Sequence, residues 1–269
     1  MHERDAWKNS NVLEPSDTRT FYDRFGKRQD TQSFYEDPAL DDLIAHAHFD
    51  EAGKIFEFGC GTGRFATRLV SEQLASSATY LGCDLSSTMV RLATERLAAF
   101  AERARVLHCD GTVRFPVANN SVDRVVSTYV LDLLSEMDIG KFLQEAYRVL
   151  DVGGKLCLVS LTTGTTFLSR IVSAVWASIH RSRASLVGGC RPIRLRQYVN
   201  PAHWELEYGN VVVAYGVPSE VLVAHAKDSA QQSRSTARWA IAHPLDTQAT
   251  SPRVPVPQGQ PSLRGGTNW

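Results

Sequence analysis

The chain has 269 residues, of which 43% are hydrophobic, and its 29 Lys and Arg residues balance its 29 Asp and Glu residues. This length fits one large domain, or one domain with attachments, that buries a substantial core. The neutral balance gives no global field to attract nucleic acid or an anionic membrane. No stretch offers about 18 uninterrupted apolar residues, so we expect no membrane span.

The five cysteines contain no C-x-x-C pair. Most of them fall in or beside predicted core strands, where cysteine acts as a small apolar residue. The charged N-terminus, Met-His-Glu-Arg-Asp, lacks the apolar region of a signal peptide. We therefore expect a reducing, cytoplasmic location and no metal site.

The segment before the first predicted strand is rich in aromatic side chains, and Pro38 is predicted to begin a helix there. Two interpretations stay open for this segment. It closes over a bound cofactor and excludes water, or it only covers an edge of the sheet.

Residues 54–65 are the segment around which the rest of the chain is organised. Ile55, Phe56 and Phe58 predict a short buried strand, three alternating glycines form a turn, and helical spacing begins at Arg64. A glycine turn before a helix N-terminus presents backbone N–H groups and a positive dipole end. We expect these bare N–H groups to meet a nucleoside-like or anionic ligand.

Two carboxylates end the next predicted strands. Thr79–Leu85 is the second strand and contains Asp84, and Val106–Asp110 is the third. An acid at the end of the second strand can accept hydrogen bonds from both ribose hydroxyls of a nucleoside; its alternative role is a turn or cap aspartate. A fourth strand at Arg124–Leu131 and a fifth at Leu156–Leu161 follow, with a helix between them that Asp138 is predicted to open.

The alternation of strands and helices predicts an α/β fold with a doubly wound, mostly parallel sheet. Its ligand site is expected at the carboxyl edge of the strands. Val211–Tyr215 and Val221–Ala224, with Pro218 in the turn between them, predict an antiparallel hairpin.

Three motifs together resemble one known family. The run Glu57-x-Gly59-x-Gly61-x-Gly63 resembles the first motif of the class I methyltransferases that use S-adenosyl-L-methionine. Phe115–Asp123 resembles the family's approach to its fourth strand, and Arg148–Lys155 its turn into the fifth, with Val152 in place of the usual proline. The chain is identified as a member, similar to those that methylate small molecules and to quinone or sterol C-methyltransferases.

The resemblance implies a seven-stranded Rossmann-like sheet closed by an antiparallel hairpin, with S-adenosyl-L-methionine as cofactor. By resemblance, Asp110 accepts from the adenine amino group. The implied cofactor-binding residues are Glu57, Gly59, Cys60, Gly61, Gly63, Asp84, Leu85, Met89, Asp110, Gly111 and Tyr129.

The domain boundaries follow from composition and from the resemblance. Apolar positions in 165–187, followed by several arginines, have two interpretations: a wall or lid for an apolar substrate with peripheral membrane contact, or an ordinary core-facing helix before a solvated basic loop. The predicted divisions are a flexible N-terminus at 1–20, a helical cap at 21–50, a methyltransferase domain at 51–228 with a helical insertion or lid at 165–200, and a disordered tail at 229–269.

The expected reaction requires little of the protein beyond aligning an acceptor and excluding water. A general base is needed only if the acceptor must lose a proton, and no catalytic residue is assigned; the candidates are Asp132, His203, His180 and Tyr22. Ser127–Leu131 replaces the Asn/Asp-Pro-Pro-Tyr/Phe segment of amino-methylating nucleic-acid enzymes. We therefore expect a small-molecule acceptor, apolar or aromatic, and no nucleic acid.

Two alternative functions stay open. Gly61, Gly63 and Ala66 also satisfy the dinucleotide-binding pattern G-x-G-x-x-G/A, which would make the protein an NAD-dependent oxidoreductase. A non-catalytic scaffold of the same fold would bind the cofactor without turnover. The oligomeric state does not follow from the sequence.

Overall fold

The computed structural model describes residues 12–164 and 189–227. Within these residues, seven strands form one sheet in the order β3-β2-β1-β4-β5-β7-β6. Strands β1 to β5 pair in parallel, and β7 lies antiparallel to both β5 and β6. The strands are β1 Lys54–Phe58, β2 Thr79–Asp84, β3 Ala104–His108, β4 Val122–Thr128, β5 Leu150–Leu161, β6 Trp204–Ala214 and β7 Val217–Ala226. The predicted α/β fold, with a mostly parallel seven-stranded sheet and a closing hairpin, is confirmed.

Helices pack on both faces of the sheet, and the alternation of side chains along the strands divides the core in two. Val125 packs with α5 on one face, whereas its neighbour Val126 packs with α2 and α3 on the other. Both faces are buried, as expected for parallel strands covered by helices. The helices are α1 Pro15–Phe25, α2 Ser33–Ala47, α3 Arg64–Arg68, α4 Ser87–Arg96 and α5 Glu136–Val149.

Side-chain caps fix the starts of α4 and α5. The Ser86 hydroxyl accepts from the N–H of Met89 and caps α4. The Ser135 hydroxyl accepts from the N–H of Asp138, so α5 begins at Glu136 and the prediction that Asp138 opens it was wrong.

Other element boundaries also differ from prediction. Helix α2 begins at Ser33, before Pro38, because burial of Tyr35, Ala39 and Leu43 holds the turn in spite of the missing proline N–H. Strand β3 ends at His108, which leaves Asp110 beyond it. Strand β4 ends at Thr128.

The hairpin strands are longer than predicted, and the turn between them is Tyr215-Gly216. Both turn residues have positive φ, 51° and 84°, as two-residue hairpin turns require. Pro218 lies within β7 opposite Val213, so its predicted place in the turn was wrong. The carbonyl of Pro218 accepts a hydrogen bond from the N–H of Thr162, and the missing N–H of proline does not affect this bond.

Several predicted features lie outside the described residues. These are the helix at 165–187 with Arg181 and Arg183, the tail at 229–269, and residues 1–11 of the predicted flexible N-terminus. The predicted domain boundaries therefore stay predictions. In the described part of the chain, no helix is both long enough and apolar enough to cross a membrane.

Candidate functional site

The turn after β1 is packed so closely that its glycines have no room for a side chain. Gly59, Gly61 and Gly63 all have positive φ, at 77°, 54° and 75°. A Cβ atom on Gly59 would lie 2.3 Å from Cγ2 of Val130, and one on Gly63 would lie 2.9 Å from Cα of Ala93. The turn therefore brings bare backbone against the ends of β4 and α4.

The backbone N–H groups of this turn are used within the protein. Those of Gly59 and Cys60 both donate to the carbonyl of Cys83, at 2.8 and 3.0 Å. The N–H of Gly61 donates to Oδ2 of Asp84 at 2.9 Å, and that of Gly63 to the carbonyl of Cys60 at 3.0 Å. For these four residues, the expectation of bare N–H groups facing an anion was wrong. Helix α3 continues directly into a π-helical turn at Leu69–Gln73.

Two backbone donors hold the carboxyl group of Asp84 at the end of β2. Oδ2 accepts from Gly61 and Oδ1 accepts from the N–H of Ser86, both at 2.9 Å. Burial raises the pKa of Asp84, while the two N–H donors and His108 act in the opposite direction. Each carboxylate oxygen has a second lone pair. The carboxyl group is therefore fixed in orientation and keeps acceptor capacity on both oxygens.

A cleft with an empty volume of about 970 Å³, including its open mouth, runs along the carboxyl edge of the sheet. Its walls come from α1, the glycine turn, and the ends of β2, β3 and β4. Most of the predicted site residues line it: Gly59, Gly61, Asp84, Leu85, Met89, Gly111 and Tyr129. The apolar side chains of Leu13, Phe58 and Val130 complete the walls.

A second, smaller cavity lies on the other side of the glycine turn. Glu57 and Cys60 line it, and Gly59, Gly61 and Tyr129 border both cavities. The Tyr129 hydroxyl is 3.0 Å from Oγ of Ser219. Gly63 lines neither cavity, because it packs against Ala93 of α4.

Glu57 lies beneath the turn with 1% of its surface exposed. Its Oε2 accepts from the Tyr80 hydroxyl at 2.6 Å. Burial raises the pKa of Glu57 to about 7, opposed by the Tyr80 hydrogen bond and reinforced by the charge of Asp84. The glutamate is therefore poised between its two protonation states near neutral pH.

Asp110 stands apart from the other predicted site residues. It lines neither cavity, although its neighbours Cys109 and Gly111 line the cleft. Its Oδ1 accepts from the N–H and the hydroxyl of Thr112, at 2.9 and 2.6 Å, and these bonds lower the pKa of Asp110. The adenine role given to Asp110 by resemblance stays a prediction.

Gln29 is a site residue that the sequence did not indicate. It borders both cavities, and a Cβ atom on Gly61 would lie 3.0 Å from its Oε1. That oxygen is buried and has no hydrogen-bond partner among the described residues. An unpaired acceptor between the two cavities fits a ligand that carries N–H or O–H donors.

An ion-pair network holds the loop that carries Gln29. The carboxylate of Asp30 accepts from Arg96 at 2.7 Å and from the Thr62 hydroxyl at 2.6 Å. Because Thr62 belongs to the glycine turn and Arg96 to α4, the network ties this loop to both walls of the site. The polar segment Gly26–Gln32 has no periodicity that predicts such a role.

Comparison with known proteins gives the family of this site. Residues 55–154 match the family described as Methyltransferase domain. A putative methyltransferase of known structure from Bacillus halodurans shares the fold, with a TM-score of 0.55 at 14% identity over 70% of this chain and 99% of that one. The chain carries a class I methyltransferase domain. The glycine turn belongs to this domain, and not to the oxidoreductase that its spacing also allowed.

Three curated relatives of this methyltransferase domain are each 29% identical to it. A malonyl-[acyl-carrier protein] O-methyltransferase from Marinomonas aligns over 54% of this chain and 51% of its own length. A tRNA N(3)-methylcytidine methyltransferase from Drosophila melanogaster aligns over 46% and 39%. A ubiquinone/menaquinone biosynthesis C-methyltransferase from Geotalea daltonii aligns over 41% and 46%. The chain thus spans about half the length of the curated relatives it matches, or less.

Proposed function

We propose that the protein uses S-adenosyl-L-methionine to methylate a small acceptor with an apolar or aromatic body. The carboxyl of Asp84, oriented by Gly61 and Ser86 beside a glycine turn of this family, is the observation that carries the proposal. When bound, S-adenosyl-L-methionine supplies an electrophilic methyl group on a sulfonium centre. The protein then has to hold it, align the acceptor and exclude water.

The chain's own residues divide these tasks. Asp84 accepts from ribose hydroxyls, while Leu85 and Met89 pack against the nucleoside. Gln29 and Glu57, beside the turn, accept from the ammonium end of the ligand. The apolar wall formed with Leu13 and Val130 excludes water from the cleft.

A small-molecule acceptor is favoured over nucleic acid for two reasons. Two of the three relatives act, by their names, on an acyl group or a quinone, and one acts on tRNA. The chain carries equal numbers of basic and acidic residues, whereas nucleic-acid binding relies on basic surfaces. A screen with a labelled methyl donor against small molecules and tRNA separates these acceptors. Absence of transfer to any of them would favour the non-catalytic scaffold.

We also propose a reducing, cytoplasmic location. All five cysteines lie in the described residues as free thiols, three of them buried. Burial raises the pKa of Cys60 and of Cys157, which keeps both thiols protonated and unreactive. Fractionation of the source cells tests this location.

Calorimetric titration tests the cofactor assignment. S-adenosylhomocysteine should bind and NADH should not. Replacing Asp84 by Asn removes its charge and one acceptor oxygen, so S-adenosylhomocysteine should bind about 1 to 3 kcal/mol more weakly. Asp151→Asn, at an exposed residue near the start of β5, is the matched control and should bind as tightly as the parent. Equal affinity in Asp84→Asn and Asp151→Asn would contradict the assigned role of Asp84.

A further inference from the structure

A buried carboxyl group without partners lies directly behind the cleft. Asp132 follows β4 in a single 3-10 turn, Leu131–Leu133, and its exposed fraction is 0%. Among the described residues, neither of its carboxyl oxygens makes a close hydrogen bond, although the backbone N–H of Leu161 lies near enough to lower the pKa of Asp132. Leaving such a group unpaired costs free energy, and native proteins retain it where a ligand or a water completes the site.

A buried donor without a partner lies next to this carboxyl group. The Nε of Arg191 is buried and unpaired within the described part of the chain. The backbone N–H of Arg191 donates to the carbonyl of Asp132 at 3.2 Å, so the two residues are neighbours. Their side chains nevertheless form no ion pair within 4.0 Å, and the Arg191 guanidinium bonds instead to the carbonyl of Leu134.

The two unpaired groups together define the chemistry of a ligand. The carboxylate needs a donor, and the guanidinium Nε–H needs an acceptor. A hydroxyl group carries one donor and also acceptor lone pairs, so it matches both kinds of group. An ammonium group or a hydrocarbon leaves at least one of them unsatisfied.

Aromatic rings surround this polar pair. The charge of Asp132 contributes to raising the pKa of Tyr22 and of Cys190, and burial is the larger cause for both. Tyr35 and Tyr129 pack edge to face with their centroids 6.0 Å apart. Tyr22 and Tyr129 also line the cleft, so the polar pair adjoins the cleft through aromatic walls that suit a flat ring.

Displacement of helix α1 would give a ligand access to Asp132. By exposed surface none of the residues of α1 is fully buried, although the Tyr22 hydroxyl lies deep enough for burial to raise its pKa. Its Tyr22 hydroxyl is 3.9 Å from Sγ of Cys190, a weak contact. The ring contacts of Tyr22 with Phe21 and Phe25 lie within α1, so they can move together with the helix.

We propose that Asp132 and Arg191 bind the hydroxyl group of an aromatic methyl acceptor, and that the Asp132 carboxylate accepts its proton. This inference rests on the proposed function and specifies the class of acceptor. In the proton step the acceptor's O–H bond breaks, an O–H bond forms on Asp132, and the electron pair stays on the acceptor oxygen. That oxygen is thereby made nucleophilic.

The electrostatics around Asp132 agree with such a role. Burial raises the pKa of Asp132 to about 7; the backbone N–H of Leu161 and then the guanidinium of Arg191 oppose the rise, and Glu36 adds to it. A proton acceptor with a pKa near the working pH exchanges protons readily in both directions. The titratable and charged groups that face it are Tyr22 from α1, Tyr35 and Glu36 from α2, Tyr129 after β4, and Cys190 and Arg191.

The test uses three probes of nearly equal size on the full chain, with and without S-adenosylhomocysteine: phenol, aniline and toluene. We expect calorimetry to show phenol binding at least about tenfold more tightly than toluene, the effect of one or two buried hydrogen bonds, with aniline in between. Asp132→Asn and Arg191→Met should each remove most of this preference. Asp151→Asn should keep it.

The outcomes separate this inference from the proposed function. Affinity for S-adenosylhomocysteine should be unchanged in Asp132→Asn, because Asp132 does not line the cofactor cleft. Phenol binding no more tightly than toluene, as expected if only a water bridges the pair, overturns the inference. A phenol preference that survives in both Asp132→Asn and Arg191→Met overturns it as well. Failure of the parent protein to bind S-adenosylhomocysteine would instead refute the proposed function.

Discussion

The hydrogen bond between the buried residues Tyr80 and Glu57 leads to a first prediction. The loss of stability caused by replacing Tyr80 should depend on pH. Tyr80→Phe removes the hydroxyl that donates to Glu57 at 2.6 Å and leaves the ring in place. Both side chains are nearly inaccessible, with 3% and 1% of their surfaces exposed. The substitution therefore deletes one hydrogen bond with little change in packing.

The sign follows from the raised pKa of Glu57. Because that pKa is about 7 in the folded protein against 4.5 for the ordinary side chain, the stability that Glu57 contributes is fully present below pH 4.5 and is lost as the pH rises through 7. The Tyr80 hydrogen bond stabilises the charged form, so its removal raises the pKa of Glu57 further. The loss is about 1.5 to 3 kcal/mol where Glu57 is charged and about 0.5 to 1.5 kcal/mol where it is protonated.

Thermal unfolding followed by circular dichroism at pH 5.5 and pH 8.0 measures both losses. At about 2 to 4 °C per kcal/mol, Tyr80→Phe should lower Tm by about 3 to 12 °C at pH 8.0 and by roughly half as much at pH 5.5. Tyr208→Phe is the matched control, because its hydroxyl donates to Asp42 at 2.9 Å in a partly exposed setting. Its loss should stay below about 1 kcal/mol at both pH values. Equal Tm losses for Tyr80→Phe at the two pH values would refute the reasoning.

Two further substitutions test the geometry around the site. Gly59→Ala places a Cβ atom 2.3 Å from Val130 at a φ of 77°, so it should destabilise the protein by more than about 1 kcal/mol in urea unfolding. Adding Val130→Ala should restore only part of the loss, and full restoration would mean that backbone strain is absent. Ser135→Ala removes the cap of α5 and should cost about 1 kcal/mol of unfolding free energy, whereas Ser71→Ala, in the exposed π-helical turn after α3, should cost less than half of that.

The sequence predicted the parts of the site that are formed locally. The strand from Lys54, the glycine turn and the place of Asp84 all follow from short-range periodicity and from the steric freedom of glycine. The seven-stranded sheet with its closing hairpin, expected from the family resemblance, is confirmed. Element ends were predicted less well: the start of α2 depends on tertiary packing, whereas the Ser135 cap of α5 is a local signal that the prediction missed.

The features that the sequence did not predict are formed by residues far apart in the chain. Gln29 lies over Gly61 only because Asp30 is bound by Thr62 and Arg96. Arg191 meets Asp132 only after the strands between them have been ordered. The N–H groups of the glycine turn were expected to be free, but the neighbouring strand supplies an acceptor, the carbonyl of Cys83, that no local pattern indicates.

The position of β7 between β5 and β6 governs the order in which the sheet can be completed. Its inner edge bonds to β5 along seven residue pairs, from Lys155 with His225 to Leu161 with Ser219, although β7 is the last strand described. During synthesis, the apolar edge of β5 thus stays open until Ala226 has left the ribosome. Until β7 pairs with it, such an exposed edge can pair with strands of other chains. The methyltransferase domain therefore depends, for safe folding, on a strand that supplies none of the residues lining its cleft.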